Sequence, residues 1–305
     1  MRNAFADELT VQSKRDNRIV LLSGDIGNRL FDNFKRNKPN KFYNCGIAES
    51  NMMSVASGLA SYGFIPFVYT ITPFITSRCY EQIKIGVSYH NLPVIIVGTG
   101  SGLSYSELGP THHSFEDIGI IRILPNIQIL TPGDSNELRL SIREILKNPK
   151  PTYIRIGKKG EKILPINENK FQIGKITKLR SGKHILILSM GNLSSEAIEA
   201  CKELNKFNIK PSLYHVNTIK PFDENFLKRI SRKYKIIITY EEHSKYGGLS
   251  SSVSELRSKY NLNFEHITMA MDDKYLHHSI SQKNAREFFK ISKNDLVNIV
   301  KKNNK

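Results

Sequence analysis

The alternation of strand-like and helix-like segments along 305 residues predicts an α/β protein made of two doubly wound domains with mainly parallel sheets. Two observations carry the prediction. Short, near-continuous apolar runs at 17–24, 91–98 and 184–191 read as strands buried on both faces, as in parallel sheets. A polar, lysine-bearing stretch at 161–182 breaks the pattern midway, so domains are expected at 1–160 and 183–305 with a linker between them.

Taken in order, the first eight residues begin an amphipathic helix and lack the apolar core of a signal peptide. The strand at 17–24 ends in small residues and delivers Asp25 and the loop 26–29 to its carboxyl end, where doubly wound sheets collect ligands. For the Asp25 side chain itself, capping the next turn is an equally good reading. Residues 44–60 give a strand end, a glycine turn and a helix rich in small residues that opens on Glu49. By itself such a glutamate needs no role beyond pairing with the helix dipole. A strand at 63–70 leads through Ile71 and Phe74 into a helix, and the strand at 91–98 feeds the glycine-rich loop 99–108. No Gly-Lys-Ser/Thr follows that loop, so it is not a phosphate-cradling P-loop. It ends in Gly109-Pro110-Thr111-His112-His113. A strand at 127–132, a helix at 135–146 and a strand at 153–156 complete the first domain. The second is expected to hold strands at 184–191, 211–217 and 235–240 and a helix at 195–207, and to turn helical and basic after 284, fraying at 301–305.

Composition excludes several classes. No apolar run approaches the ~20 residues of a membrane span, and a cytoplasmic chain is expected. Three cysteines, Cys45, Cys79 and Cys201, have neither disulfide nor zinc spacing and are expected to be reduced and buried. The 45 Lys and Arg against 28 Asp and Glu give a formal charge of +17, but the lysines are spread along the chain without interleaved aromatics, unlike a nucleic-acid reader. No protein-held metal site is expected in this chain.

The string Gly46-Ile47-Ala48-Glu49 with its small-residue helix, the segment around Phe74, Gly109-Pro110-Thr111-His112, Ile219-Lys220-Pro221-Phe222-Asp223 and Glu241-Glu242-His243-Ser244 resemble, in this order, the transketolases and 1-deoxyxylulose-5-phosphate synthases. The resemblance covers nearly the whole chain but only the pyrimidine-binding and C-terminal domains of a full transketolase. It implies thiamine diphosphate as cofactor. Glu49 would hydrogen-bond N1′ of the aminopyrimidine and promote loss of the C2 proton, Phe74 would stack on that ring, and Asp25 would border the cofactor. Ile71 stands where many relatives have a second phenylalanine. His112 would face the reacting carbon and assist proton transfer. His113 is expected to be solvated and idle, and His243 structural.

Against the same pattern, Leu108 replaces an aspartate that contacts a substrate hydroxyl, and Gly100 replaces a phosphate-binding histidine. Arg29 falls near a phosphate-binding serine, Lys158 replaces an arginine on that phosphate, and Arg2 matches another basic substrate contact. Lysine offers a point charge where arginine offers a planar fork. These departures keep the reaction type but point to an anionic end held differently and away from the usual sugar phosphate; a modified or nucleotide-linked sugar would have no need of those contacts. The Gly-Asp-Gly opening and downstream asparagine that hold Mg2+ and the diphosphate are not found in the sequence. The expectation is the C-terminal subunit of a split transketolase, an α2β2 heterotetramer with an N-terminal subunit that brings the Mg2+ and diphosphate site. Alternatives are a deoxyxylulose-phosphate-synthase-like subunit, a 2-oxoacid dehydrogenase β-type subunit, over which Gly-Pro-Thr-His with Glu-Glu-His-Ser favours the transketolase, and a non-catalytic scaffold or anion-binding subunit.

Overall fold

Residues 1–27 and 29–304 are described in a computed structural model. Asn28, within the loop expected beside the site, and Lys305, among the residues expected to fray, lie outside the described residues. Two sheets organise the chain. The first contains β1 (Ile19–Ser23), β2 (Phe42–Asn44), β3 (Ile65–Ile71), β4 (Ile95–Thr99), β5 (Gln128–Leu130) and β6 (Thr152–Ile156), and the second contains β7 (Thr177–Arg180), β8 (Ile185–Met190) and β9 (Ser212–Val216). β10 (Thr218–Lys220) returns to the first sheet, and β11 (Ile236–Ser244) and β12 (Glu265–Met271) complete the second. The orders are β10-β5-β6-β4-β3-β1-β2 and β12-β11-β8-β9-β7. All pairings are parallel except β10 with β5 and β7 with β9.

The first sheet is sandwiched as its apolar runs require. On one face the helices Arg2–Arg15 and Ser135–Lys147 bring Phe5, Leu9, Leu138 and Ile142 against Phe67, Val97 and Ile154. On the other, the helix Glu49–Ser61 brings Met52, Ala56 and Ala60 against Leu22, Val68 and Ile96. Burying each such aliphatic side chain is worth about 1.5–3 kcal/mol, which is why these runs are central rather than edge strands. The register Ser23↔Tyr69, Ile71↔Thr99 and Thr99↔Ile156 aligns the carboxyl ends of β1, β3, β4 and β6 along one rim. Gly24, Thr72, Gly100 and Gly157 leave the sheet together there.

Several elements were not announced by the sequence. The segment expected as a linker contains β7, which pairs with β9. The helix Leu249–Lys259 and the strand β12 occupy a stretch without an expected element. The run 211–217 ends as a strand at Val216, and the following β10 crosses to the other domain's sheet. The last helix, Lys293–Asn303, stays intact into the region expected to fray, held at its start by Ser292 and Asp295 in a reciprocal cap. Cys79 and Cys201 are buried, whereas Cys45 is only half-buried because it sits in the turn after the short edge strand β2; all three are free thiols. Among the described residues no helix is long and apolar enough to cross a membrane.

Candidate active site

The rim assembles two linked groups of side chains. The first centres on Glu49, the first residue of its helix and only 4% exposed. Arg78 Nη1 donates to Glu49 Oε2 at 2.7 Å, and the Arg78 guanidinium also lies 4.2 Å from the centroid of the half-buried Phe74 ring. No hydrogen bond reaches Glu49 Oε1 from the described residues. Gly24 passes close by: a Cβ on it would meet Thr70 Oγ1 at 2.9 Å and Glu49 Oε1 at 3.7 Å, and Thr70 Oγ1 is itself buried without a hydrogen-bond partner. A buried carboxylate, an orphaned hydroxyl and a partly open aromatic face suit a planar heteroaromatic ring that carries both a donor and an acceptor.

His112 joins this group edge-on, its ring 5.2 Å from that of Phe74, and burial lowers its imidazole below the ordinary value. It is therefore neutral at pH 7 and able to accept a proton. A cavity of about 450 Å3, lined in part by Phe74, Arg78, Thr111 and Tyr275, opens beside these residues. His113 departs from expectation. It is 5% exposed rather than solvated, stacked on Phe115 at 5.4 Å with Nε2 3.3 Å from the Ser106 carbonyl, because the turn after His112 directs it inward.

The second group is cationic. Arg2, Arg29, Lys158 and Lys159 line a cavity of about 560 Å3 at the start of the first helix. Lys158 Nζ is paired with Glu107 at 2.6 Å, and Arg2 Nε donates to the Tyr69 hydroxyl at 3.3 Å. Burial opposes the charge on Arg2, but the neighbouring phenols of Tyr69 and Tyr105 outweigh it and hold the guanidinium above its ordinary range. Tyr105 connects the two groups: its ring lies 6.2 Å from His112 and has Lys158 Nζ over it at 4.7 Å.

The structure thus brings Glu49, Phe74 and His112 into one cluster and Arg2, Arg29 and Lys158 into another. Asp25 is exposed and accepts from Asn44 Nδ2 at 3.2 Å, beside the first cluster but not bonded to it. Ile71 ends β3, 9% exposed. Leu108 is 52% exposed on a short turn, its backbone N–H bonded to the Tyr105 carbonyl. Two residues of the site, Arg78 and Tyr105, were missed by sequence reasoning. Their only sequence signal is proximity, Arg78 four residues after Phe74 and Tyr105 in the glycine-rich loop. His243 is fully buried, with Nδ1 2.8 Å from the Ser244 carbonyl and Nε2 3.9 Å from Asp117.

Residues 1–160 match the transketolase pyrimidine-binding domain and residues 174–296 match the transketolase C-terminal domain. A 6-deoxy-6-sulfo-D-fructose transketolase subunit of Clostridium sp. (strain MSTE9) is 34% identical over 84% of this chain and 80% of its own. An apulose-4-phosphate transketolase subunit of Phocaeicola vulgatus is 32% identical over 85% of this chain and 83% of its own. A split gene transketolase, solved as an inactive β4 tetramer, superposes with a TM-score of 0.88 at 30% identity, covering 99% of this chain and 96% of that one. With matched domains that together span most of its length, this chain belongs to the transketolase family, of which it carries the pyrimidine-binding and C-terminal domains.

Proposed function

We propose that the chain is the C-terminal subunit of a two-subunit, thiamine-diphosphate-dependent transketolase that moves a two-carbon ketol unit from a ketose to an aldehyde. The observation that carries this is the buried Glu49 carboxylate, one oxygen of it unbonded to the described residues, beside the half-buried Phe74 ring with His112 at its edge. Thiamine diphosphate, when bound, supplies the carbon nucleophile that takes up the two-carbon unit. Glu49 would share a proton with N1′ of the aminopyrimidine, and Phe74 would hold the ring in place. His112, neutral through burial, takes a proton from a substrate hydroxyl and returns it.

Mg2+ and the diphosphate are held by a separate N-terminal subunit in an α2β2 heterotetramer. This reading is supported by relatives that are themselves named as subunits and by the split-gene neighbour solved as an inactive β4 assembly. The free cysteines fit a reducing cytoplasm. The substrate is a modified sugar with an anionic end, for which the Arg2, Arg29 and Lys158 cavity is the receptor. The names of two relatives, for a sulfonated and a phosphorylated sugar, support that class; a nucleotide-linked sugar would present the same kind of charge.

The test is cofactor binding by the purified chain with and without the N-terminal subunit. The chain alone should neither bind thiamine diphosphate in a Mg2+-dependent manner nor transfer ketol units, and the partner should restore both. Tight, metal-dependent binding by the chain alone overturns the split-enzyme reading. An inert reconstituted complex would leave the scaffold alternative.

A further inference from the structure

Tyr105 occupies the position between the His112 cluster and the cationic cavity. Its ring is pressed onto the backbone of Gly100: a Cβ there would lie 1.8 Å from Tyr105 Cε2 and 2.0 Å from Cδ2, and Gly100 has φ +74°. No side chain at position 100 can coexist with this ring, so the volume such a side chain would fill belongs to Tyr105. The loop is clamped from the opposite domain as well, since Glu242 Oε1 accepts from the Leu103 N–H at 2.8 Å. Tyr105 is 8% exposed and its hydroxyl makes no hydrogen bond among the described residues. A phenol placed between an imidazole and several cations, with its O–H uncommitted, is a donor waiting for an oxyanion.

We propose that Tyr105 is a specificity-determining residue that donates a hydrogen bond from its hydroxyl to the anionic end of the substrate, a phosphate or sulfonate oxygen, while its ring closes the space that position 100 leaves open. The inference rests on the transferase reading for its substrate but concerns a contact that this chain makes with its own residues. Arg2, Arg29, Lys158 and Lys159 supply the charge, and Tyr105 supplies direction. A substrate with a neutral end gains nothing from either.

The experiment uses the full chain with ring-labelled tyrosine and follows its NMR signals during titration with glycerol 1-phosphate, ethanesulfonate and, as the neutral control, glycerol. Tyr105→Phe keeps the ring on Gly100 and removes only the O–H, so its fold and melting temperature should match the wild type. The expected result is saturable binding of both anions by the wild type, none of glycerol, and about tenfold weaker anion binding by Tyr105→Phe. Equal affinities in wild type and Tyr105→Phe, or no anion binding by the wild type, overturn the proposal. Binding of one anion alone would assign the pocket to that source, phosphate or sulfonate. Because the readout needs neither cofactor nor partner, it fails or succeeds separately from cofactor loading in the reconstituted complex. If loading fails there, the transferase reading falls while this contact stands.

Discussion

Glu49 and Arg78 form an ion pair whose two members answer to different demands. Replacing Glu49 with glutamine keeps the shape of the side chain but removes the group that can share a proton with a ring nitrogen. Assembly should be unaffected while exchange of the cofactor C2 hydrogen for deuterium slows in the reconstituted complex; unchanged exchange would leave Glu49 as a dipole partner only. Arg78 is planar and cationic, lies on Phe74 and bonds Glu49, so it holds both groups that an aminopyrimidine would need. Its side chain is 45% exposed, so solvent screens the pair and its contribution is about 1 kcal/mol. Arg78→Ala should therefore tighten thiamine diphosphate binding by the complex roughly fivefold in a fluorescence titration. Weaker binding would show that Arg78 supports the ring rather than competing for its place. At this scale Glu49, Phe74 and His112 were legible because each sits inside a recognisable string of residues. Arg78 and Tyr105 were not, because their roles arise from rings and charges brought together by the chain turning at the sheet rim.

Among the elements, the glycine-rich loop after β4 is held in place by the second domain. Glu242, 2% exposed on β11, accepts from Leu103 N–H, from Gln282 Nε2 at 3.0 Å and from Arg286 Nε at 2.5 Å. Glu242→Ala would leave the largely buried Arg286 guanidinium, among the described residues, with a 3.5 Å contact to Glu196 alone, at a cost of about 3 kcal/mol. A lower urea midpoint with unchanged slope is the expected result. The central strands were legible to within a few residues because burial on both faces forces continuous apolar runs. β7 and β12 were not, since edge strands keep polar residues such as Lys178 and Glu265 and lose that signature. β10, three residues long, carries no periodicity to read.

For the molecule as a whole, the domain junction buries charge that must stay paired. Burial would raise the Asp117 carboxyl, but Arg155 and His243 hold it below its ordinary value, and Tyr153 donates to it at 2.7 Å. The two mostly parallel sheets were readable from the apolar runs, whereas this junction was not, because its members are scattered along the chain. A separate group sets the acid limit. His266, bonded to Thr239 and Ser254, is pushed down from 6.5 to about 4 by burial and by Arg257. Between those values the unfolded chain binds the extra proton and the folded chain does not, so stability falls as the pH is lowered from 6.5 towards 4, by up to about 3 kcal/mol. Thermal unfolding of wild type and His266→Asn across that range should show a shallower acid slope in the variant. The crossing of β10 has a consequence for synthesis. Residues 218–220 close the β5 edge of a sheet whose other strands all lie before residue 157. As the chain leaves the ribosome, that edge stays unpaired until some sixty further residues have followed, so completing the first domain waits on the second, and a nascent chain stalled in this interval presents an open strand to its neighbours.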